Sequence, residues 1–432
     1  MQKFKSRFWR LSKGKGDMGQ EVLIEASKIR FIENGVCAPR GVKASGIATG
    51  IKSNKNKRDM SLIFSEQPAL GVAVYTKNLV KGAPLIVTAD HLDNGLCQAI
   101  LCNSGNANTC TKDGVEVADK SCQLLGKALG ISSGDIIVAS TGVIGVPLSI
   151  EPFEKGIPHL VECLSKEGSE VAAQGILTTD TRTKETALEF KIGEKTCKIG
   201  GMAKGSGMIH PNMATMLCFI TTDVKISIDM MKKALKSAVD LSFHQISVDG
   251  DTSTNDMVVL MANGMAENPD IAGEGEDYDV FIKALNQVAV KLAQDIAWDG
   301  EGASKGITCS VEGAETSALA RRLAKAVIQS SLVKAAIFGA DANWGRVLCA
   351  LGSVEEAKGL EGADLWFASE KARVMVCEGG CSKTFDEAAA RMILEESKVT
   401  IEVKLDVGKE SGLAWGCDLT YDYVKINGDY RT

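Results

Sequence analysis

Hydrophobic residues recur at two different spacings along this chain, and the two patterns alternate from about residue 70 to the C-terminal end. Apolar residues three and four positions apart are typical of helices with one buried face, whereas alternation and short apolar runs are typical of strands. Interleaved helices and strands predict an α/β or α+β fold in which helices cover sheets. The predicted helices are residues 114–130, 227–241, 281–297, 316–338 and 384–397. The predicted strands are residues 70–75, 97–102, 135–139, 257–262 and 399–407.

Local signals mark some of the boundaries between these elements. Gly130 closes the first predicted helix, as glycine commonly does. The second predicted helix starts at Ser227, and serine at this position caps the first turn. Alternation from Trp415 to Tyr423 predicts one more strand near the end. Glycine is densest at residues 193–212, which predicts a loop there and the best place for a break in the chain.

The composition excludes several classes of protein. Hydrophobic residues make up 45% and charged residues 24% of the 432 residues, as in globular proteins with a normal core. The net charge of −6 is spread without long blocks of one sign, which argues against nucleic acid or a membrane surface as the main partner. No apolar run reaches the length of a membrane-spanning helix. Thirteen cysteines at irregular spacing predict buried, reduced thiols and a cytoplasmic location.

Several familiar motifs match this chain by letter only. Residues 14–19 fit the dinucleotide-binding fingerprint, but no strand precedes them. Residues 302–306 fit the nucleophile elbow of hydrolases, but no histidine follows His244 to complete a triad. Residues 249–255 resemble a calcium loop without its glycine and glutamate, so we expect a polar turn that positions its neighbours. The four histidines are His91, His159, His210 and His244. Their spacing is not that of metal ligands, so no metal site is predicted.

Thr215 occupies an unusual place, after Ala214 and inside an apolar run that follows a Gly-, Pro- and Asn-containing loop. One interpretation is a threonine at the start of a buried strand. The other is that the chain is cut before Thr215, whose hydroxyl then becomes a nucleophile. A new N-terminal amine has a pKa of about 7.7–8.0 and can accept the hydroxyl proton. The small side chain of Ala214 leaves room for the tetrahedral intermediate of such a cut.

The segment around Thr215 resembles the cleavage-site signature of the glutamate N-acetyltransferase family, also called ornithine acetyltransferase, of arginine biosynthesis. The signature is Lys-Gly-Ser-Gly-Met-Ile-His-Pro-Asn-Met-Ala-Thr-Met-Leu, at residues 204–217. The similarity extends along almost the whole chain, because seven further segments match motifs of this family in the same order. They are residues 35–47, 103–108, 140–145, 178–181, 251–256, 339–346 and 424–432.

The resemblance implies that the chain cuts itself between Ala214 and Thr215. An N-terminal extension of residues 1–34 would precede an α chain of residues 35–214 and a β chain of residues 215–432. The implied fold is an αββα sandwich, shared with self-processing aminopeptidases. Two copies of each part would form an α2β2 heterotetramer.

The resemblance also implies a reaction and a set of site residues. Thr215 would take the acetyl group of N-acetylornithine and pass it to glutamate, with no cofactor. Acetyl-CoA is a second donor in some members, and the motifs are shared by members with and without this activity. Thr141 and Gly142 would form the oxyanion hole. The residues implied around the substrate are Thr178, Lys204, Thr215, Glu301, Asn427 and Thr432.

Two other functions fit parts of the pattern. A self-processing amidase or aminopeptidase of the same fold would use water as the acceptor, although such relatives usually carry serine at the cut. A non-catalytic scaffold would use Thr215 only as a core residue. The product formed from N-acetylornithine and glutamate distinguishes all three.

Overall fold

The structure is a computed structural model that describes residues 29–210 and 216–429. These residues form two β-sheets with helices packed against them, which confirms the mixed α/β class. No helix in these two ranges is both long enough and apolar enough to cross a membrane. All thirteen cysteines lie in the described ranges as free thiols, nine of them buried and four exposed.

The larger sheet contains nine strands and includes both sides of the predicted cut. The strands are β1 (Arg30–Ile32), β2 (Val42–Ile47), β3 (Met60–Tyr75), β4 (Leu96–Asn106), β5 (Ile136–Val143), β6 (Lys184–Ile192), β7 (Lys195–Lys204), β8 (Leu217–Thr222) and β9 (Met257–Ala262). Their order is β1-β6-β7-β8-β9-β3-β4-β5, with β2 paired to β3. The long strand β3 joins two halves, because residues 60–65 pair with β2 and residues 70–75 pair with β9.

The two halves of this sheet face one another across a shared core. Alternate residues of a strand point to opposite faces. In β4, Ile100 therefore joins the cluster between the halves, whereas Leu101 joins the cluster outside. In β8, Phe219 joins the same inner cluster and Ile220 the opposite outer one.

Helices cover both outer faces and complete an αββα sandwich. The helices of this part are α1 (Ala83–His91), α2 (Gly114–Leu129), α3 (Glu151–Glu162), α4 (Ser169–Ile176), α5 (Ile228–Leu241) and α6 (Glu276–Trp298). Buried residues of α2 and α3 pack on the half that contains β4 and β5. Buried residues of α5 and α6 pack on the half that contains β6 to β9. The architecture that the family resemblance implied is therefore present.

A smaller six-stranded sheet follows in the C-terminal part of the chain. Its strands are β10 (Gly306–Ala314), β11 (Asp364–Ala368), β12 (Arg373–Glu378), β13 (Cys381–Ser382), β14 (Lys398–Lys404) and β15 (Glu410–Cys417), in the order β13-β12-β11-β14-β10-β15. The remaining helices are α7 (Ser317–Gln329), α8 (Ser331–Phe338), α9 (Trp344–Gly352), α10 (Glu387–Leu394) and α11 (Tyr421–Gly428). Helices α7 to α10 share a separate buried cluster with this sheet.

Most of the predicted elements are confirmed. The helices predicted at residues 114–130 and 227–241 are α2 and α5, and the Ser227 hydroxyl accepts a hydrogen bond from the Met230 N–H. Gly130 ends α2 in the left-handed conformation, with φ of 73°. Each of the five predicted strands overlaps an observed strand. The helix predicted at 281–297 lies within the longer α6, whereas α10 is shorter than its predicted range.

Three predicted boundaries are wrong. The helix predicted at 316–338 is interrupted at Ser330, whose side chain caps α8 by accepting the Val333 N–H. The strand predicted from Trp415 onward ends at Cys417, because Thr420 accepts the Tyr423 N–H and starts α11. The loop predicted at 193–212 contains β7. A Cβ atom at Gly200 would lie 1.8 Å from the Gly35 carbonyl oxygen, so this glycine allows close packing of a strand rather than a turn.

The division of the chain into an extension, an α chain and a β chain stays a prediction. Residues 30–32, which belong to the predicted extension, form β1 and pair with Ala187 to Glu189 of β6.

Candidate active site

Six of the predicted site residues lie in the described part of the chain, and three do not. Ala214, Thr215 and Thr432 lie outside the described residues. The remaining six belong to different elements, and contacts among them and their neighbours form one region at the ends of β5 and β7. They are Thr141, Gly142, Thr178, Lys204, Glu301 and Asn427.

Thr141 and Gly142 lie near the C-terminal end of β5, paired with the end of β4. Gly142 has a φ of +132°, and a Cβ atom there would lie 2.4 Å from the Gly105 carbonyl carbon. Only glycine fits this close approach of two backbones. Gly142 therefore lets the end of β5 pack directly against the end of β4, with no room for a side chain at this point.

Two buried asparagines hold the backbone around Thr141. The Asn255 side chain donates to the carbonyl oxygens of Ser140, at 2.9 Å, and Ala107, at 2.6 Å. The Asn103 side chain accepts the Ser140 hydroxyl at 2.6 Å. Both asparagines belong to segments that resemble family motifs. In the structure, these segments hold the backbone next to Thr141 through side-chain hydrogen bonds. They fix the end of β5, which carries the candidate oxyanion hole.

Lys204 is a buried cation next to Thr141. Its side chain is at the end of β7, the residue is 5% exposed, and Nζ lies 3.5 Å from the Thr141 Oγ1 atom. The carboxylate paired with it among the described residues is that of Asp180, with 3.9 Å between Nζ and Oδ2. Lys204 therefore brings positive charge to the place where Thr141 presents its hydroxyl.

An ion-pair network beneath Lys204 was not identified from the sequence. Lys184 is buried and its Nζ lies 2.7 Å from an oxygen of Asp180 and 2.6 Å from an oxygen of Asp299. Asp180 also accepts the Gly205 N–H at 2.7 Å and the Thr178 N–H at 3.0 Å. Burial works to raise the pKa of Asp180, but the charges of Lys204 and Lys184 outweigh it and hold that pKa well below its ordinary value.

Glu301 is a second buried carboxylate in this region, at 6% exposure. It accepts the Thr179 hydroxyl at 2.6 Å and the Asn427 side-chain N–H at 2.8 Å. Neither donor is charged, and within the described ranges Glu301 forms no ion pair. The carboxylate is therefore available to a cationic ligand group, and Asn427 connects it to the C-terminal helix α11.

A small cleft lies between Thr141, Lys204 and the residues that follow position 215. It is lined by Thr141, Lys204, Met216, Leu217, Ser253, Asn255 and Asp256. The Met216 N–H donates to the Asp256 carboxyl at 2.8 Å. On the other side of the undescribed residues, Asp249 accepts the N–H groups of Met208 and Ile209 at 2.6 and 2.8 Å. The prediction that residues 249–255 form a polar turn that positions its neighbours is confirmed.

The histidines take no part in this cleft. Among the described residues that line it there is none of the four. Burial, assisted by the charge of Lys325, lowers the pKa of His210 to about 4, so its ring is neutral at pH 7. Within residues 29–210 and 216–429, no group of three or more His, Cys, Asp or Glu side chains is arranged to hold a metal ion.

Sequence reasoning missed Lys184, Asp299 and Asp256. Asp180 lies inside the Thr178–Thr181 motif, so the motif itself was a signal for it. Lys184 and Asp299 are 115 positions apart, and nothing in their local patterns predicts that they meet. Asp256 is the last residue of the Asp251–Asp256 motif, directly before a strand of six buried residues.

Comparison with known proteins places the chain among relatives of one kind. The model of the ArgJ family matches residues 43–432. The arginine biosynthesis bifunctional protein ArgJ 1 of Clostridium acetobutylicum is 49% identical over 391 residues, covering 90% of this chain and 96% of the relative. The arginine biosynthesis bifunctional protein ArgJ of Symbiobacterium thermophilum is 48% identical, covering 94% of this chain and all of the relative.

Solved structures of similar proteins are also known. The crystal structure of arginine biosynthesis bifunctional protein ArgJ from Bacillus halodurans is 44% identical, with a TM-score of 0.46, and covers 49% of this chain and 97% of its own. Ornithine acetyltransferase from Mycobacterium tuberculosis, solved with ornithine, is 33% identical, with a TM-score of 0.40, and covers 43% of this chain and 98% of its own. Since the family model spans nine-tenths of the sequence and both relatives cover at least 90% of it, this chain belongs to the ArgJ family.

Proposed function

We propose that this chain is a glutamate N-acetyltransferase that moves the acetyl group of N2-acetyl-L-ornithine to L-glutamate through an acetyl ester on Thr215, in arginine biosynthesis. The observation that carries the proposal is the cleft in which Thr141 and Lys204 lie beside Met216, the residue after Thr215. The relatives named as arginine biosynthesis proteins and the ornithine-bound acetyltransferase support the substrate class.

The mechanism begins with a cut between Ala214 and Thr215, which frees an α-amine on Thr215. This amine accepts the Thr215 hydroxyl proton as the oxygen attacks the acetyl carbonyl. The amide bond breaks, the proton passes to the leaving nitrogen, and ornithine departs. The glutamate amine then attacks the ester, and Thr215 recovers its hydroxyl proton. One nucleophile thus serves donor and acceptor in turn.

Both steps place negative charge on the acetyl oxygen, and Thr141 and Gly142 are the donors we assign to it. The hydroxyl of Thr141 and the N–H of Gly142 would stabilise the oxyanion, because preorganised donors act where charge develops. The asparagine contacts around Ser140 and the tight packing of Gly142 on Gly105 keep this backbone in one position. Lys204 adds a fixed positive charge next to Thr141.

The substrate carries carboxylate and, in ornithine, a second ammonium group. We assign Lys204 to a substrate carboxylate and Glu301 to the ornithine side-chain ammonium. Buried carboxylates bind ammonium groups strongly when their other hydrogen bonds are satisfied, as those of Glu301 are. Thr178 borders Lys204 through Asp180, and Asn427 approaches from α11. Thr432 is assigned to the same pocket from the resemblance alone.

Glu301→Gln tests the assignment of the ammonium site. We expect the KM for N-acetylornithine to rise about tenfold or more, because a hydrogen bond to a charged group contributes about 1.5–3 kcal/mol. The KM for glutamate should change much less, since glutamate has no side-chain ammonium. Steady-state kinetics with each substrate varied in turn measures both values. Glu315→Gln, an exposed position, is the matched control; an equal rise for both substrates would contradict the assignment.

Thr141→Ala tests the oxyanion hole. We expect kcat to fall about 10²- to 10³-fold, because one lost oxyanion donor raises the barrier by about 2.7–4 kcal/mol. The KM should stay within about threefold of wild type, since the donor acts on the transition state. Thr141→Ser keeps the hydroxyl and should recover most of the rate. A large increase in KM with unchanged kcat would instead make Thr141 a binding residue.

One assay tests the function as a whole. Purified protein is mixed with N-acetylornithine and glutamate, and the products are identified by chromatography. N-acetylglutamate with free ornithine supports the proposal. Free acetate without N-acetylglutamate would identify a self-processing amidase, and no turnover would identify a scaffold.

We also propose that acetyl-CoA is a second acetyl donor, that two α and two β chains form the active assembly, and that the protein works in the cytoplasm. The word bifunctional in the names of both relatives supports a second activity. Thirteen free thiols favour a reducing compartment. Glutamate acetylation with acetyl-CoA as the sole donor tests the first point, and native mass spectrometry tests the second.

A further inference from the structure

The Glu301 carboxylate is bordered by neutral groups on three sides. Its Oε1 atom accepts the Thr179 hydroxyl at 2.6 Å, and its Oε2 atom accepts the Asn427 side-chain N–H at 2.8 Å. On the third side lies Gly207, where a Cβ atom would come within 2.2 Å of Oε2 and 2.5 Å of Oε1. The carboxylate therefore occupies space that only a glycine at position 207 leaves open.

Backbone hydrogen bonds fix the segment that carries Glu301. The Glu301 N–H donates to the Ser206 carbonyl oxygen at 3.0 Å, and the buried Ser206 hydroxyl donates to the Asp299 carbonyl oxygen at 2.7 Å. These two bonds join the segment after α6 to the segment after β7, which begins directly after Lys204. The main chain therefore fixes the position of Glu301 relative to Lys204.

Neighbouring residues of a third segment hold both charged groups. Asp180 accepts the Gly205 N–H at 2.7 Å and lies 3.9 Å from the Lys204 Nζ atom. Thr179, the residue before it, donates its hydroxyl to Glu301. Hydrogen bonds at both ends thus set the distance between the Lys204 cation and the Glu301 carboxylate.

We propose that Thr179 and Gly207 are positioning residues that fix the Glu301 carboxylate and thereby select the acetyl donor by the length of its side chain. The inference rests on the proposed function, in which Lys204 binds a carboxylate of the donor and Glu301 binds its side-chain ammonium. Neither positioning residue is assigned a contact with the reacting acetyl group.

A fixed carboxylate discriminates between donors because it cannot follow a longer side chain. N2-acetyl-L-lysine carries its ammonium one methylene farther from its carboxylate than N2-acetyl-L-ornithine does. One methylene typically changes kcat/KM by about 10- to 200-fold, and we expect wild type to prefer N2-acetylornithine by a factor in that range. A carboxylate that is free to change rotamer would discriminate less.

Thr179→Val removes the hydroxyl and keeps the shape of the side chain. We expect the KM for N2-acetylornithine to rise about fivefold to tenfold, and the preference over N2-acetyllysine to fall by a similar factor, as for loss of a hydrogen bond to a charged group. The KM for glutamate should stay within about twofold of wild type, since glutamate has no side-chain ammonium. Thr179→Ser should restore the wild-type values, and Thr384→Val, at an exposed threonine, is the control.

Gly207→Ala tests the carboxylate from its other side. Gly207 has no positive φ, and the three atoms nearest to its Cβ all belong to the Glu301 carboxylate, so alanine would displace that group rather than the backbone. We expect the same selective rise in the KM for N2-acetylornithine and the same loss of preference. Gly273→Ala is the matched control, because a Cβ atom there would meet no atom within 4 Å.

The Glu301→Gln background shows whether both residues act through Glu301. There, Thr179→Val or Gly207→Ala should change the KM for N2-acetylornithine by less than about twofold, since effects on a shared partner are not additive. A further rise as large as in the wild-type background would overturn the positioning role. Thermal unfolding checks that each variant is folded, and if one does not fold, the other decides.

The outcomes separate this inference from the proposed function. If wild type forms no N-acetylglutamate, the proposed function fails. If Glu301→Gln raises the KM of both substrates equally, the ammonium site fails. If Glu301→Gln acts on N2-acetylornithine alone, while Thr179→Val and Gly207→Ala behave like their controls, only the positioning role fails.

Discussion

Replacing Thr215 with alanine is expected to give a folded, full-length chain without acetyltransferase activity. The substitution removes the oxygen that attacks the Ala214 carbonyl and also the oxygen that would carry the acetyl group. Loss of a catalytic nucleophile typically lowers turnover about 10⁶-fold. Intact-protein mass spectrometry should find one species of full length in place of two fragments, and the acetyl-transfer assay should give no product above background.

Thr215→Ser is the matched control for this experiment. Serine keeps the hydroxyl and, after a cut, the adjacent amine, so we expect cleavage and partial activity. A Thr215→Ala protein that is still cut before residue 215, or that transfers acetyl groups normally, would remove the basis of the proposed mechanism.

Replacing Lys184 with methionine is expected to destabilise the protein by about 3–5 kcal/mol. The substitution leaves the Asp180 and Asp299 carboxylates buried without the cation that lies between them. Among the described cations, Asp180 then pairs only with the more distant Lys204, at 3.9 Å, so Lys204 should also be drawn away from Thr141. We therefore expect reduced activity in addition to the lower free energy of unfolding.

Urea denaturation in the Thr215→Ala background measures this effect on a single, uncut chain. Lys191→Met is the matched control, because Lys191 is an exposed lysine on the same strand, β6. Exposed substitutions usually change stability by less than about 0.5 kcal/mol. Equal denaturation midpoints for the two variants would show that the buried ion pairs contribute no net stability.

The sequence predicts the elements of this fold better than their arrangement. Helices α2 and α5 and strand β9 follow from hydrophobic spacing, since each buries a continuous face. The division of β3 between two half-sheets does not follow, because pairing with β2 and with β9 depends on residues far apart in the chain. Gly200 shows the same limit, since its neighbour in space is Gly35.

The site divides in a similar way. The resemblance to the family predicts Thr141, Lys204 and Glu301 as site residues, and the structure brings all three into one region. Lys184 resembles a solvated lysine in the pattern Lys-Glu-Thr-Ala, and only the fold shows it buried between two carboxylates. A local sequence pattern depends only on residues that are neighbours in sequence. Whether a charged side chain can be buried depends on partners that the fold brings close from distant parts of the chain.

The pairing of β7 with β8 has a consequence for how the cleaved protein could refold. Ile199 to Lys204 pair antiparallel with Leu217 to Thr222, and β8 and β9 lie between β7 and β3. A cut between them would leave strands of the second fragment inserted among strands of the first. Neither fragment could then complete its sheet alone, so a denatured mature enzyme would have to reassemble by a bimolecular encounter. Cleavage would thus take place in a chain that had already reached its native topology, and it would be irreversible.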